Sequence, residues 1–279
     1  MNVSRNKENM LKIGVIGCGA IGTEICKAID TKLINARLSG IYDKSTQNCE
    51  RLLRTLENKP ELLSPDELIF RADMVVECAS QSAVREFGPR VLDSGKDLMV
   101  LSVGALVEPE LFERLIYAAR THNCRIYVPS GAIAGLDGLK SASIAPLDKV
   151  ILSTTKNPQG LKDAPYVIEN KIQLGSFHER TLLFEGSAEE ATKGFPANVN
   201  VAASLSLAGM GAKETKVRVF VDPKASRNIH EITVEGAFGK FTCLIENIPS
   251  PNNPRTSFLA ALSAIATLKK ITEPLQIGT

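Results

Sequence analysis

Gly17, Gly19 and Gly22 stand at Gly-x-Gly-x-x-Gly spacing, with Ala20 and Ile21 inside the motif. An apolar run, residues 12–16, leads into them, and helix-forming residues 23–29 follow. In that strand–turn–helix setting each glycine has a task. Gly17 permits the tight turn off the strand. Gly19 leaves room for a phosphate to approach the backbone, and Gly22 lets helix and strand pack closely. The free amides at a helix start favour a bound anion. The expected ligand is a dinucleotide, held at Gly17, Gly19, Ala20, Ile21 and Gly22.

A second strand, residues 36–42, ends at Asp43, about 20 residues past the last glycine, where a ribose-binding acid belongs. A carboxylate there accepts from the ribose hydroxyls of NAD and repels the 2′-phosphate of NADP. Lys44 and Ser45 follow directly and offer that phosphate a cation and a hydroxyl. The expected cofactor is therefore NAD, with NADP possible. Capping of the next helix is an alternative task for Asp43.

Acid–base work near neutral pH falls most readily to histidine. The chain has His122, His178 and His230. His122 closes a helical stretch, where a cation meets the helix dipole. His178 lies in a turn-like segment. His230 lies in a strand, between Ile229 and Glu231. By residue type alone a single strand histidine reads as a satisfied structural group.

These groups need a scaffold. Strand and helix signals alternate over residues 11–130, which implies a parallel sheet. Ser64-Pro65-Asp66-Glu67 is a helix start, with a Ser cap and proline in the first turn. Residues 73–79 and 97–103 read as buried strands. Ligands in such sheets sit beyond the carboxyl ends of the strands. The loops after Ala79, Ser102 and Ser130 are thus candidate cofactor walls. Residues 130–137, rich in small side chains, serve equally as a wall or as a hinge. Beyond residue 148 the rhythm changes to successive strands at 149–155, 169–175, 180–185, 217–221, 228–236 and 240–246. Helical stretches 187–192 and 197–209 interrupt them, and a last helix covers 254–269.

The expected fold class is α/β: an N-terminal doubly wound Rossmann domain plus a C-terminal α+β domain with a mostly antiparallel sheet. The expected divisions are a polar tail at 1–10, a dinucleotide domain at 11–135, a substrate domain at 136–253, and a C-terminal helix, 254–279, packing back on the first domain.

Composition narrows the partners. The 279 residues are 44% hydrophobic and carry a formal charge of +2 with no basic block. No nucleic acid is expected. No apolar run is long enough to cross a bilayer, so no membrane is expected either. The six cysteines are scattered, without metal-type spacing, which points to free thiols in a reducing cytoplasm and to no metal. The exposed sheet of the second domain suggests a homodimer.

Several segments together resemble L-aspartate dehydrogenase. They are residues 14–22 (GVIGCGAIG), 128–137 (VPSGAIAGLD), 154–158 (TTKNP), 195–203 (FPANVNVAA) and 228–232 (NIHEI). The resemblance runs in order over nearly the whole chain, and the last two segments are its most specific part. It implies oxidation of L-aspartate by NAD(P)⁺ to iminoaspartate. That product hydrolyses to oxaloacetate and ammonia or passes on toward quinolinate in NAD biosynthesis. By position it makes His230 the catalytic residue and places Ala132 and Asn198 at the cofactor.

Aspartate brings two carboxylates, which need charged or amide donors. Lys156 and Asn157, at a strand end, are candidate clamps, and Asn200 is a further substrate contact. Arg180, Lys193 and Lys216 are weaker cationic candidates. A solvated loop charge is the alternative for Lys156, and helix capping is the alternative for Asn198 and Asn200. Asn228, on the same strand face as His230, is its expected orienting neighbour. Two other readings stay open: a related reductase or dehydrogenase of the homoserine dehydrogenase or dihydrodipicolinate reductase type, and a nucleotide-sensing protein without turnover. NADH formation from aspartate separates them.

Overall fold

The structure, a computed structural model, describes residues 10–196, 199–250 and 253–279. Its contacts divide the chain into two compact units. One runs up to Pro129 and takes in Ala261–Ile277; the other is Ser130–Ala260 with Gly278–Thr279.

The first unit alternates strand and helix: β1 (Leu11–Ile16), α1 (Ala20–Asp30), β2 (Ala36–Tyr42), α2 (Thr46–Leu53), α3 (Pro65–Arg71), β3 (Met74–Glu77), α4 (Gln81–Asp93), β4 (Asp97–Val100), α5 (Pro109–Thr121) and β5 (Ile126–Tyr127). The strands form one parallel sheet in the order β2-β1-β3-β4-β5. The sequence reads this way because β1, β3 and β4 are short, mostly apolar runs: β3 is buried along its whole length, β1 from Ile13 onward and β4 from Leu98 onward. Ser64 caps α3 in a reciprocal capping box with Glu67, as its sequence predicts. The strand order reverses between β1 and β3, so the turns leaving those strands flank the crevice where ligands bind in such sheets. Ile13, Val15, Ile25, Ile41, Met74 and Met99 centre the core.

The second unit holds α6 (Leu136–Ala142), β6 (Leu147–Lys156), α7 (Pro165–Glu169), β7 (Thr181–Ser187), α8 (Ala188–Gly194), α9 (Val199–Ala208), β8 (Lys216–Val221), β9 (Asn228–Gly236), β10 (Gly239–Asn247), β11 (Pro249–Ser250) and β12 (Asn253–Ser257). Its main sheet has the order β10-β9-β6-β8-β7. Only the β6–β8 pairing is parallel; the other three are antiparallel. Period-two alternation puts Val150, Leu152, Val217, Val219, Ile232 and Val234 on one face, where they pack with Leu139, Ala188 and Leu205 from the helices. The last helix, α10 (Phe258–Thr272), carries Ala264, Ile265 and Leu268 into the core of the first unit.

Two elements differ from the sequence reading. Residues 169–175 are not a strand. Pro165 opens the short helix α7, Lys171 follows at φ 52°, and a 3-10 turn spans Leu174–Ser176. The apolar signal there comes from Ile172 and Leu174, which pack against the core just after α7. The last helix begins at Phe258, because the preceding residues pair as β12 with β11.

Candidate active site

The turn after β1 has the tight backbone geometry that a dinucleotide site needs. Gly17 has φ +105°, and a Cβ there would lie 2.7 Å from the Cys78 carbonyl. A Cβ on Gly22 would collide with the Gly17 carbonyl oxygen. Gly19 differs: nothing lies within 4 Å of its would-be Cβ. Two glycines thus allow close packing, and the third faces open space. Ala20 and Ile21 form the first turn of α1, whose N-cap, Gly19, supplies no side-chain acceptor. The leading amides are therefore directed at whatever anion binds there.

Asp43 stands beside this turn. One of its oxygens accepts from the Cys18 amide at 2.7 Å; the other accepts from the Ser45 amide at 2.8 Å and Asn48 Nδ2 at 3.3 Å. A carboxylate offers about four acceptor positions, so capacity remains for a ribose hydroxyl. The α2 N-cap is Ser45, not Asp43. Lys44 pairs with Glu86 at 3.5 Å. A recess of about 290 Å³ lies among Gly17, Gly19, Asp43, Asn48, Ala79 and Ser80. The glycine turn, the acid and the open recess fit a dinucleotide.

Glu77 braces one wall of this recess, a role the sequence reading missed. Its carboxylate, 1% exposed, accepts from the amides of Ala79, Ser80 and Ser102 and from the Ser102 hydroxyl, all within 2.8–3.1 Å. It therefore ties the loop after β3 to the loop after β4. Burial pushes its carboxyl above the usual range, and those bonds act in the opposite direction. An acid inside the otherwise apolar stretch 74–79 was the available signal.

In the second unit, His230, Lys156 and Thr154 share the face that carries the core. His230 is 4% exposed, Lys156 9% and Thr154 0%. His230 and Thr154 are directly paired across β9 and β6, and His230 Nδ1 lies 3.0 Å from Thr154 Oγ1. This hydrogen-bond partner comes from the adjacent strand; Asn228, the orienting neighbour expected from sequence, lies two residues away on the same strand. Burial lowers His230 to about 4, and the Lys156 charge adds to that shift. Burial also lowers Lys156, to about 8. No ion-pair partner of Lys156 exists among the described residues. A buried ammonium without a counter-charge is costly, and a ligand carboxylate would relieve that cost.

The other candidates are dispersed. Asn157 caps a 3-10 turn, its Oδ1 accepting from the Gly160 amide at 2.9 Å. Asn200 is exposed in the first turn of α9. Asn198 lies outside the described residues. The Ala132 carbonyl accepts from Asn247 Nδ2 at 2.9 Å, and Asn247 Oδ1 accepts from Ser257 at 2.7 Å. Asn247, buried at the end of β10, thus fixes the small-residue loop, and nothing in its local sequence indicates this. Arg180 belongs to the opposite face of the sheet from His230: it stacks 3.6 Å over the Phe220 ring and donates to Thr155 Oγ1. Lys216 is paired with Glu185 at 3.3 Å, and Lys193 is exposed in the last turn of α8. His122 caps the end of α5, and His178 is exposed. Among the described residues no cluster of three metal-ligating side chains occurs, and no helix is long and apolar enough to cross a membrane.

The chain is similar to known dehydrogenases in sequence and in fold. Residues 137–271 match the family described as "Aspartate dehydrogenase, C-terminal", and residues 17–129 match "Homoserine dehydrogenase, NAD binding domain". The L-aspartate dehydrogenase of Methanosarcina mazei is 56% identical over 97% of this chain and 100% of its own length. That of Methanococcoides burtonii is 54% identical with the same coverage. The crystal structure of the aspartate dehydrogenase from Thermotoga maritima superposes with a TM-score of 0.72, at 27% identity over 97% of this chain and 100% of that one. A homoserine dehydrogenase from Thiobacillus denitrificans shares the fold at 11% identity, with a TM-score of 0.62.

Proposed function

The chain belongs to the L-aspartate dehydrogenase family, and we propose on that premise that it oxidises L-aspartate to iminoaspartate with NAD(P)⁺. The observation that carries the substrate assignment is the buried ammonium of Lys156, with no ion-pair partner among the described residues, beside the buried imidazole of His230. A dicarboxylic amino acid brings a negative charge that the described residues do not offer Lys156.

The first unit holds the dinucleotide at Gly17, Gly19, Ala20, Ile21 and Gly22, with Asp43 accepting from the ribose and Ala79 lining the wall. Ala132 and Asn198 are the further cofactor contacts. Bound there, NAD(P)⁺ supplies the hydride acceptor. Asp43 favours NAD over NADP, since a 2′-phosphate would meet its negative charge, and Lys44 is already paired with Glu86.

Lys156 holds a substrate carboxylate, and Asn157 and Asn200 add polar contacts. The substrate amine must lose a proton before its α-hydrogen leaves as hydride. His230, neutral at working pH because burial disfavours its charged form, accepts that proton or one from the water that attacks the imine. The balance is L-aspartate plus NAD(P)⁺ giving iminoaspartate, NAD(P)H and a proton. Iminoaspartate then takes up water and releases ammonia to give oxaloacetate, or it passes on toward quinolinate.

The six cysteines are free thiols, which supports a reducing, cytoplasmic setting. The outer face of the main sheet in the second unit exposes Leu182 and Leu244. A second copy of the chain is the proposed cover, giving a symmetric homodimer.

The test is reduced-cofactor absorbance with L-aspartate and a panel of other amino acids, for the wild type and for His230→Gln. Wild type forms NADH from aspartate. His230→Gln loses about 10²-fold or more in kcat, the scale of a placed acid–base group, and still binds NAD⁺. Undiminished turnover in that variant rejects the role of His230.

A further inference from the structure

His230 and Thr154 meet within a sheet, and that fixes which imidazole nitrogen is free. The two residues are direct partners in the antiparallel pairing of β9 and β6. Both are buried, Thr154 completely. Thr154 Oγ1 lies 3.0 Å from His230 Nδ1, although the residues are 76 positions apart in sequence. A threonine in a strand has few accessible χ1 values, so its hydroxyl is a stiff anchor. With Nδ1 engaged, Nε2 is the nitrogen left for a ligand.

We infer that Thr154 is the positioning residue of His230: its hydroxyl holds Nδ1, sets the plane of the ring and assigns proton exchange with the substrate to Nε2. This rests on the reading of His230 as the acid–base group. The choice of a hydroxyl has chemical consequences. It both accepts and donates. When Nε2 is bare, Nδ1–H donates to Oγ1, and the same bond persists when Nε2 gains a proton. A carboxylate in that place would bring negative charge and stabilise the imidazolium. The neutral hydroxyl orients the ring without making it hold the proton firmly, which suits a group that must accept a proton and return it within each turnover.

The experiment is a double-mutant cycle on the full-length enzyme with NAD⁺ and L-aspartate, using Thr154→Val, Thr154→Ser, His230→Gln and the Val/Gln pair. Valine keeps the shape and removes the hydroxyl. Thr154→Val is expected to lower kcat about tenfold or more, a share of the roughly 10²–10⁴ that a placed acid–base group supplies, with a smaller change in aspartate KM. Thr154→Ser restores most of kcat. In the His230→Gln background the valine change costs nothing further, because its target is gone. Nitrogen-15 NMR of the wild-type His230 ring is expected to show one dominant tautomer, with Nδ1 carrying the proton, and Thr154→Val is expected to show a mixture.

Wild-type kcat in Thr154→Val beside a crippled His230→Gln overturns this inference alone. So does an equal loss from the valine change in both backgrounds, which is the mark of a packing effect. Full turnover in His230→Gln removes the reading of His230 and this inference with it. If Thr154→Val does not fold, an averaged, mixed tautomer in the wild-type ring is the overturning result.

Discussion

Lys156 and His230 are two basic side chains held where water is scarce, and each is less basic for it. Their roles part at the level of charge. Lys156, lowered only to about 8, keeps its proton at neutral pH and can bind a carboxylate. His230, lowered to about 4, stays neutral and can take a proton. Lys156→Met is expected to raise the aspartate KM about tenfold to a hundredfold, matching the roughly 1.5–3 kcal/mol of a hydrogen bond to a charged group. Initial rates against aspartate concentration check it, and an unaltered KM rejects the clamp. The histidine also leaves a mark on stability. Its folded pKa lies below the ordinary 6.5, so the unfolded chain binds the proton more tightly. Stability is then full above about pH 6.5 and falls as pH drops toward 4. Between pH 7 and pH 5 the loss due to this residue is about 2 kcal/mol for the ligand-free protein. Urea unfolding of wild type and His230→Gln at the two pH values measures it as the difference between their losses.

At the scale of elements, the turn from β1 into α1 separates glycines packed against backbone from one that faces open space. Gly17 and Gly22 are hemmed in by backbone, and Gly19 faces an open recess. Gly22→Ala is expected to lower the melting temperature and weaken NAD⁺ binding together, since its methyl group would push α1 off the turn. Gly19→Ala is expected to leave the melting temperature within a degree or two, in keeping with the small effect of open-surface substitutions, while NAD⁺ affinity falls. Thermal melts paired with titration calorimetry separate the two effects. A Gly19→Ala variant that binds NAD⁺ as tightly as the wild type would contradict the reading. Glu77 works at the same scale. By joining the loops after β3 and β4 it gives the recess a fixed wall that neither loop has alone.

For the whole molecule, the second unit presents a sheet with one face filled by helices and the other bearing Leu182 and Leu244. If that face joins two copies, Leu244→Asp is expected to halve the mass seen by sedimentation, and an unchanged mass would place any self-association elsewhere. The chain's own order already encoded much of this protein. The glycine spacing foretold the tight turn between β1 and α1 because such a turn depends on backbone geometry that neighbouring residues set. Alternating strands and helices marked the parallel sheet for the same local reason. The segments around 195–203 and 228–232 carried the resemblance to L-aspartate dehydrogenase. Folding in three dimensions alone revealed Thr154 against His230, Glu77 against Ser102, and Asn247 against Ala132. It also put Arg180 on the far face of the sheet from His230 and gave Lys156 no ion-pair partner among the described residues. These are pairings between distant strands and loops. Strand register and burial decide them, and no short window of sequence contains either.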